Sequence, residues 1–313
     1  QQDNLLLATS DGLTILDASR NSFEKFYLHD SNENSASHSK VLRDVFVDSK
    51  GRIWVASVTN GLCLLSLKTS KFNCYTHDPN ISSSVADNHI QVIEEDDRGN
   101  LWLGTYGQGL SRMQDEGVFQ NYKHIAGDKS SIGSNVITDI VQDEHDNLWI
   151  AADHGGLNLY QKSTDSFLRY THNPAYRNSL ATESPYNIFS DDDGNLWIGL
   201  FPYGVSYLDR AAFNFTNYIH NPNDPYSLSH NGVLCFFEDS NGILWVGTER
   251  GLNAFDQHTK TFQRYFIDKS ILSINEDEFG EFWLGTWSQG LIRWNRKQQS
   301  TRVYLPNSAP DSI

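Results

Sequence analysis

Glu183 and Glu249 are carboxylates that no periodic pattern in this 313-residue chain accounts for. Paired carboxylates can do acid–base work on a glycosidic bond, so they come first among catalytic candidates. No further constellation picks them out. The triple Asp191-Asp192-Asp193 brings calcium to mind, but Gly194 falls too early for a calcium loop of the EF-hand type. His154 and the histidines His77, His172 and His220 read as polar loop residues, not metal ligands or bases. The chain has no His-x-Glu, no Gly-x-Ser-x-Gly and no phosphate-cradling glycine loop. The expectation is therefore a protein that is not an enzyme and needs no metal and no cofactor.

Binding is the chemistry that other outlying residues favour. Tyr106 with Gln108, Asp153 with His154, Phe201-Pro202-Tyr203, Glu249 with Arg250, and Trp287 with Gln289 occupy corresponding places and yet differ from one another. Aromatic faces stack on sugar rings, while amide, imidazole and guanidinium groups fix hydroxyls. The ligand-binding candidates are Tyr106, Gln108, His154, Phe201, Tyr203, Arg250 and Trp287.

Corresponding places exist because the chain repeats. Asp and Trp recur six residues apart at Asp48/Trp54, Asp96/Trp102, Asp143/Trp149, Asp191/Trp197, Asp239/Trp245 and Asp277/Trp283. A Gly and an aliphatic residue follow each Trp, as in Gly109-Leu110. A worn copy opens the chain, with Leu6 in the Trp place and Gly12-Leu13 closing it. Successive copies lie 48, 48, 47, 48, 48 and 38 residues apart, the mark of an array built from one supersecondary unit.

One copy shows what the unit is. Residues 89–95 alternate as a strand does, and DDRGN then supplies a tight turn with Gly99 where φ must be positive. Gly51, Gly194, Gly242 and Gly280 hold the same place, and Asp146 substitutes as a residue that tolerates it. The stretch 101–105 is apolar on both faces, so both must be covered. Two further short strands complete a four-stranded antiparallel unit. A sheet apolar on both faces needs neighbours, and seven such sheets arranged radially satisfy one another. The predicted fold is all-β, a seven-bladed β-propeller whose first blade lacks its innermost strand within this chain. It forms a single domain over 1–313, with blade 1 from 1–30, blades 2–7 from about 41–305, and a linker to a continuation at 306–313. The motif Trp residues are expected between blades, with the small residue two places on making room for the adjacent sheet.

Composition excludes several partners. The formal charge is −15, with 24 basic against 39 acidic residues. A surface of that sign repels phosphate backbones and anionic lipids, so neither nucleic acid nor membrane contact by this domain is expected. No apolar stretch reaches the length of a membrane span. Cys63 and Cys74 are placed on neighbouring strands but diagonally, which favours buried free thiols over a bridge.

The combination of DDRGNLWLGTYGQGL (96–110), DDDGNLWIGLFPYGV (191–205) and DSNGILWVGTERGL (239–252) with the linkers YTHDPNISSSV (75–85) and YTHNPAYRNSL (170–180) resembles the two-component regulator propeller repeat. The resemblance spans nearly the whole chain. It implies a periplasmic sensor module, the extracytoplasmic part of an inner-membrane protein whose output is a histidine kinase, often hybrid, or a diguanylate cyclase. It also implies an oligosaccharide or other small-molecule ligand, with other domains of the same protein as partners. A homodimer, a carbohydrate-active lyase or glycosidase, and a protein-interaction scaffold are the competing readings. The ten-residue shortfall before Trp283 falls in the linker at Phe266–Ser270, and a notch beside Trp287 and Arg250 is expected there.

Overall fold

The computed structural model describes residues 4–17, 22–26, 41–176 and 178–305. Among them, 27 strands form seven antiparallel sheets, six of four strands and one of three, and no helix occurs. The fold is the seven-bladed β-propeller that the repeat predicts. Blade 1 (Asn4–Phe26) has three strands; blades 2 (Leu42–Tyr75), 3 (Ile90–Tyr122), 4 (Ile137–Tyr170), 5 (Pro185–Tyr218), 6 (Val233–Tyr265) and 7 (Ile271–Tyr304) have four each. The linker expected at 306–313 lies outside the described residues. The chain divides into two compact units, Gln1–Arg169 and Tyr170–Ile313. Blades 1–4 make up the first, apart from the last residue of blade 4, and blades 5–7 belong to the second.

Within a blade the strands follow one another in order, and blade 3 shows why. Its second strand, Leu101–Thr105, is buried at every position. Trp102 is fully buried and packs against Tyr122 of its own blade and Tyr160 of blade 4, with ring centroids 5.6 and 4.8 Å apart. In the second unit Trp197 meets Phe255 of blade 6 at 4.8 Å. Inter-blade packing is thus the role of the motif Trp.

The Asp does more than turn the chain. Asp96 Oδ1 accepts from the backbone N–H groups of Arg98 and Asn100 at 3.0 and 2.9 Å, while its Oδ2 accepts from the Trp102 indole at 2.8 Å. The indole bond recurs in all six copies, between 2.8 and 3.0 Å. The constant spacing of six residues is the reach of this clamp, a buried donor matched by a charged acceptor. The turn residues behave as expected: Gly99 has φ +77° and Asp146 φ +60°.

Small residues after the Trp serve two neighbours. A Cβ on Gly104 would lie 2.6 Å from Val92 of its own blade and 2.7 Å from Ile137 of blade 4. The space is shared between the adjacent sheet and the blade's own first strand, which sequence reasoning did not assign.

Blades are also stapled by glutamates at the ends of first strands. Glu95 accepts from the Ser49 N–H and hydroxyl at 2.6 and 2.8 Å. Glu238 accepts from Asp192 N–H at 3.1 Å, and Glu276 from Ser240 N–H at 2.7 Å. Each reaches back to the Asp turn of the preceding blade.

The thiol expectation is corrected. Cys63 and Cys74 are directly opposite across the third and fourth strands of blade 2, not diagonal, and they form a disulfide. A shift of one residue in the inferred register hid the pairing. Cys235 alone remains a free thiol.

Candidate functional site

The loops joining second to third strands lie at the ends of the blades opposite the Asp–Gly turns, and in blades 2, 3 and 6 the loop is tied to the adjoining linkers at both ends. Tyr106 N–H donates to His89 O and Gly109 N–H to Asn135 O, at 3.1 and 2.9 Å. Gly109 must be glycine: at φ +88° its Cβ would stand 2.1 Å from Tyr122 O. Side chains between these anchors are released to solvent.

In the first unit the loop of blade 3 presents Tyr106, 57% exposed, stacked on the His89 ring at 4.9 Å. Burial is the main cause that holds the His89 imidazole below its ordinary pKa, with Arg43 adding to it, and its Nε2 is buried without a hydrogen-bond partner. Gln108 is exposed and accepts from Lys123 Nζ at 2.8 Å. His154 projects from blade 4 at φ +57°, with Nδ1 3.0 Å from the Asp153 carboxylate. Tyr106 bridges Val136, and Val136 O accepts from Asp153 N–H at 2.9 Å, so Tyr106 and the Asp153-His154 pair flank one linker. The first unit therefore carries a short strip: His89, Tyr106, Asp153 and His154.

The second unit carries a longer one. Phe201 and Tyr203 are 41% and 53% exposed, around a cis Phe201-Pro202 bond, and Phe201 lies 6.1 Å from the Tyr186 ring. Gly232 of the next linker sits under them: a Cβ there would come within 2.9 Å of Phe201 and 2.8 Å of the Glu249 carboxylate. Glu249 N–H donates to Gly232 O at 2.9 Å, and its carboxylate lies 3.4 Å from His230 Nδ1. Arg250 follows, exposed. Gly251 N–H then donates to Lys269 O at 2.8 Å, and Trp287 N–H to Ser270 O at 3.1 Å. The shortened linker is thus gripped on one side by the Arg250 loop and on the other by the Trp287 loop. Trp287 is 67% exposed.

So Phe201, Tyr203, Arg250 and Trp287 fall along one continuous strip in the second unit, and Tyr106 and His154 along another in the first. Gln108 stands apart, held by Lys123. His89, Tyr186 and His230 were missed by the sequence reading, because they belong to linkers or first strands and not to the loops themselves. Glu183 is exposed in the linker just before the first strand of blade 5.

The linker histidines are structural. Nδ1 of His77, His124, His172 and His220 faces the carbonyl eight residues on, at 2.8, 2.9, 2.7 and 2.6 Å. A carbonyl only accepts, so each Nδ1 carries the hydrogen. No group of three or more metal-binding side chains gathers among the described residues, and no helix there is long and apolar enough to cross a membrane.

Three segments, 84–107, 131–154 and 227–250, match the sequence profile of the family "Two component regulator propeller". Those three segments carry that family's repeat. Each matched segment starts in a linker, passes through the Asp–Trp clamp of one propeller repeat and stops in the loop just described. Curated protein sequences gave no match. Among solved structures, the chain is similar to the extracellular domain of a B. thetaiotaomicron protein described as a hybrid two component system. That likeness has 22% identity and a TM-score of 0.75 over 92% of this chain and 38% of the other. A second such domain from the same organism gives 18% identity and a TM-score of 0.67 over 97% of this chain and 47% of that one. The chain spans less than half the length of both. Virginiamycin B lyase from Staphylococcus aureus gives 13% identity and a TM-score of 0.63 over 86% and 85%. At these identities the likeness is one of fold.

Proposed function

We propose that the chain is the extracytoplasmic ligand-sensing propeller of a membrane-anchored signalling protein, and that it binds an oligosaccharide without turning it over. The observation that carries this reading is the strip Tyr186, Phe201, Tyr203, Arg250 and Trp287: the Tyr186 ring on the first strand of blade 5 and the Phe201, Tyr203 and Trp287 rings on loops bonded to the neighbouring linkers all stand in solvent. Exposed aromatic rings flanked by a guanidinium and a His–carboxylate pair suit a sugar's apolar face and its hydroxyls. The family match and the fold of the two extracellular domains support the signalling role. The Cys63–Cys74 disulfide supports a compartment outside the reducing cytoplasm, namely the periplasm.

The test is a thermal-shift screen against oligosaccharides, since a ligand that binds the native state raises its melting temperature by mass action. Stabilisation lost in Trp287→Ala and Phe201→Ala supports the reading. A panel with no stabilising glycan counts against it.

One observation favours a second reading. His230 and Glu249 adjoin beside the aromatic strip, with Nδ1 of His230 accepting the Gly232 N–H at 3.0 Å and standing 3.4 Å from the Glu249 carboxylate, a base and an acid close enough for a bound sugar to bring into play. Cleavage of a stabilising glycan, lost in His230→Ala, would make the protein a propeller enzyme instead.

A further inference from the structure

Arginines sit over the motif Trp rings in both units. The guanidinium carbon of Arg52 is 5.0 Å from the Trp54 centroid, that of Arg112 5.3 Å from Trp102, that of Arg293 5.0 Å from Trp283, and that of Arg296 5.4 Å from Trp245. Three of the four also reach the motif carboxylate: Arg52 with Asp48 at 2.6 Å, Arg293 with Asp277 at 3.5 Å, and Arg296 with Asp239. These arginines come from three different places in the repeat. Arg52 is the fourth residue after the Asp; Arg112 and Arg293 pair with the Trp across the third strand; Arg296 follows the third strand of the next blade. Convergence from three positions on one location shows that the location itself favours a planar cation, as an electron-rich ring above a carboxylate does.

Blade 5 has the ring and the carboxylate, but an arginine stands at none of these places. The three positions hold Asn195, Tyr207 and Gln257. Among the described residues no cation stands over Trp197 and no ion pair is made by Asp191. A cavity of about 120 Å³ opens there instead, walled by Trp197, Tyr207, Tyr218 and Phe255 and bordered by the carboxylates of Asp191 and Asp193. An apolar cavity of about 150 Å³ is enough to take benzene, so this one is of the size of a guanidinium head and its first methylenes.

We propose that blade 5 binds a guanidinium group supplied from outside, with the cation between the aromatic walls and its N–H groups on Asp191 and Asp193. The local field agrees with that charge. Burial first, and then Asp191 among its neighbours, pushes the Tyr207 hydroxyl up to about 12. Glu238, whose carboxylate accepts from Asp192 N–H, is also raised, by burial and then by Asp192, Asp191 and Asp193. Lys260 borders the cavity with its ammonium 5.8 Å from the Phe255 centroid and makes no ion pair among the described residues. It stands where it competes weakly with the incoming cation. The site lies beside the Asp turn of blade 5, at the opposite end of that blade from Phe201 and Tyr203, and so is independent of the proposed glycan strip.

The experiment is calorimetric titration of the 313-residue chain with agmatine and with an acetyl-arginine-methylamide peptide, using urea as the neutral isostere. Both cations are expected to bind at millimolar or tighter affinity, weakening with salt, and urea is not. Gln257→Arg places an internal guanidinium where Arg296 sits in the neighbouring blade, and should weaken binding about ten-fold or more. Asp193→Asn should weaken it about five-fold, and Lys260→Met should tighten it about three-fold. Tighter binding of the peptide assigns the natural source to a protein side chain, and tighter binding of agmatine to a free guanidino compound; either supports the site. No binding by the wild-type chain overturns it. So does binding that the folded Asp193→Asn and Gln257→Arg proteins retain unchanged, with folding checked by circular dichroism.

Discussion

Asp96 accepts the indole N–H of Trp102 at 2.8 Å, and that single contact joins a turn at the end of a blade to the packing between two blades. Burial works to raise the Asp96 carboxyl, but hydrogen bonds from Asn100 and Trp102 hold it below the usual carboxylate range. The ionised acceptor is therefore the native form at neutral pH.

Replacing Asp96 by Ala strands a buried indole donor and two turn amides together. We expect a loss of about 2–4 kcal/mol, measured by urea unfolding. Trp102→Phe loses the same hydrogen bond and empties part of a fully buried site, so it should also be clearly destabilising. Effects of Asp96→Ala and Trp102→Phe that add in full in the double variant would contradict the clamp.

Glu94 sets a pH dependence of opposite sign to that of the clamp. Burial, and then Asp139, Asp44 and Glu95, push its carboxyl up to about 8, although the Gln142 N–H works against them. A folded-state pKa above the unfolded one gives stability that is complete below the unfolded value near 4.5 and disappears as pH rises through about 8. Glu94→Gln keeps the acceptor for Gln142 without the charge. It should match wild type at pH 4 and exceed it at pH 9 by a few kcal/mol. Denaturant midpoints of the two proteins, taken at each pH, check this; parallel curves would refute it.

The Cys63–Cys74 bridge spans 11 residues. Chain-entropy arguments give a closed loop of this size a contribution of about 2–3 kcal/mol. The Cys63→Ser/Cys74→Ser protein should melt several degrees lower, and dithiothreitol should lower wild type to the same point while leaving the double variant unmoved.

Trp287 and Arg250 are exposed and contribute little packing. Their alanine variants should stay within about 0.5 kcal/mol of wild-type stability. Ligand binding by the purified chain, or signalling by the full-length protein, should be lost in both. Normal response in both folded variants would remove the shortened linker from the site.

How far the sequence was legible depends on whether a signal repeats. Gly99 and its counterparts announced their turns, and the spacing of Trp102 from Asp96 announced a constraint, although the hydrogen bond behind it shows only in three dimensions. The candidate residues were legible as departures from the pattern. Their partners were not: His89 stacks on Tyr106 from a linker, and Gly232 yields space to Phe201 from another, so no spacing within one repeat reveals either. The arginines over the Trp rings escaped for a related reason. Arg52, Arg112 and Arg296 reach one kind of location from three positions, and a feature conserved in space but not in register leaves no period. The disulfide was hidden by a one-residue difference in strand alignment.

The two-ended anchoring of the loops has a consequence for how such a protein diversifies. Tyr106 is held through its amide and Gly109 through its amide, and neither bond depends on what Tyr106 or Gln108 carry as side chains. A loop so anchored is a replaceable cassette: a sequence exchanged between the two anchors changes what the molecule recognises without asking anything new of the sheet beneath. Selection, or an engineer, can rewrite one blade's recognition surface while the other six go on folding as before.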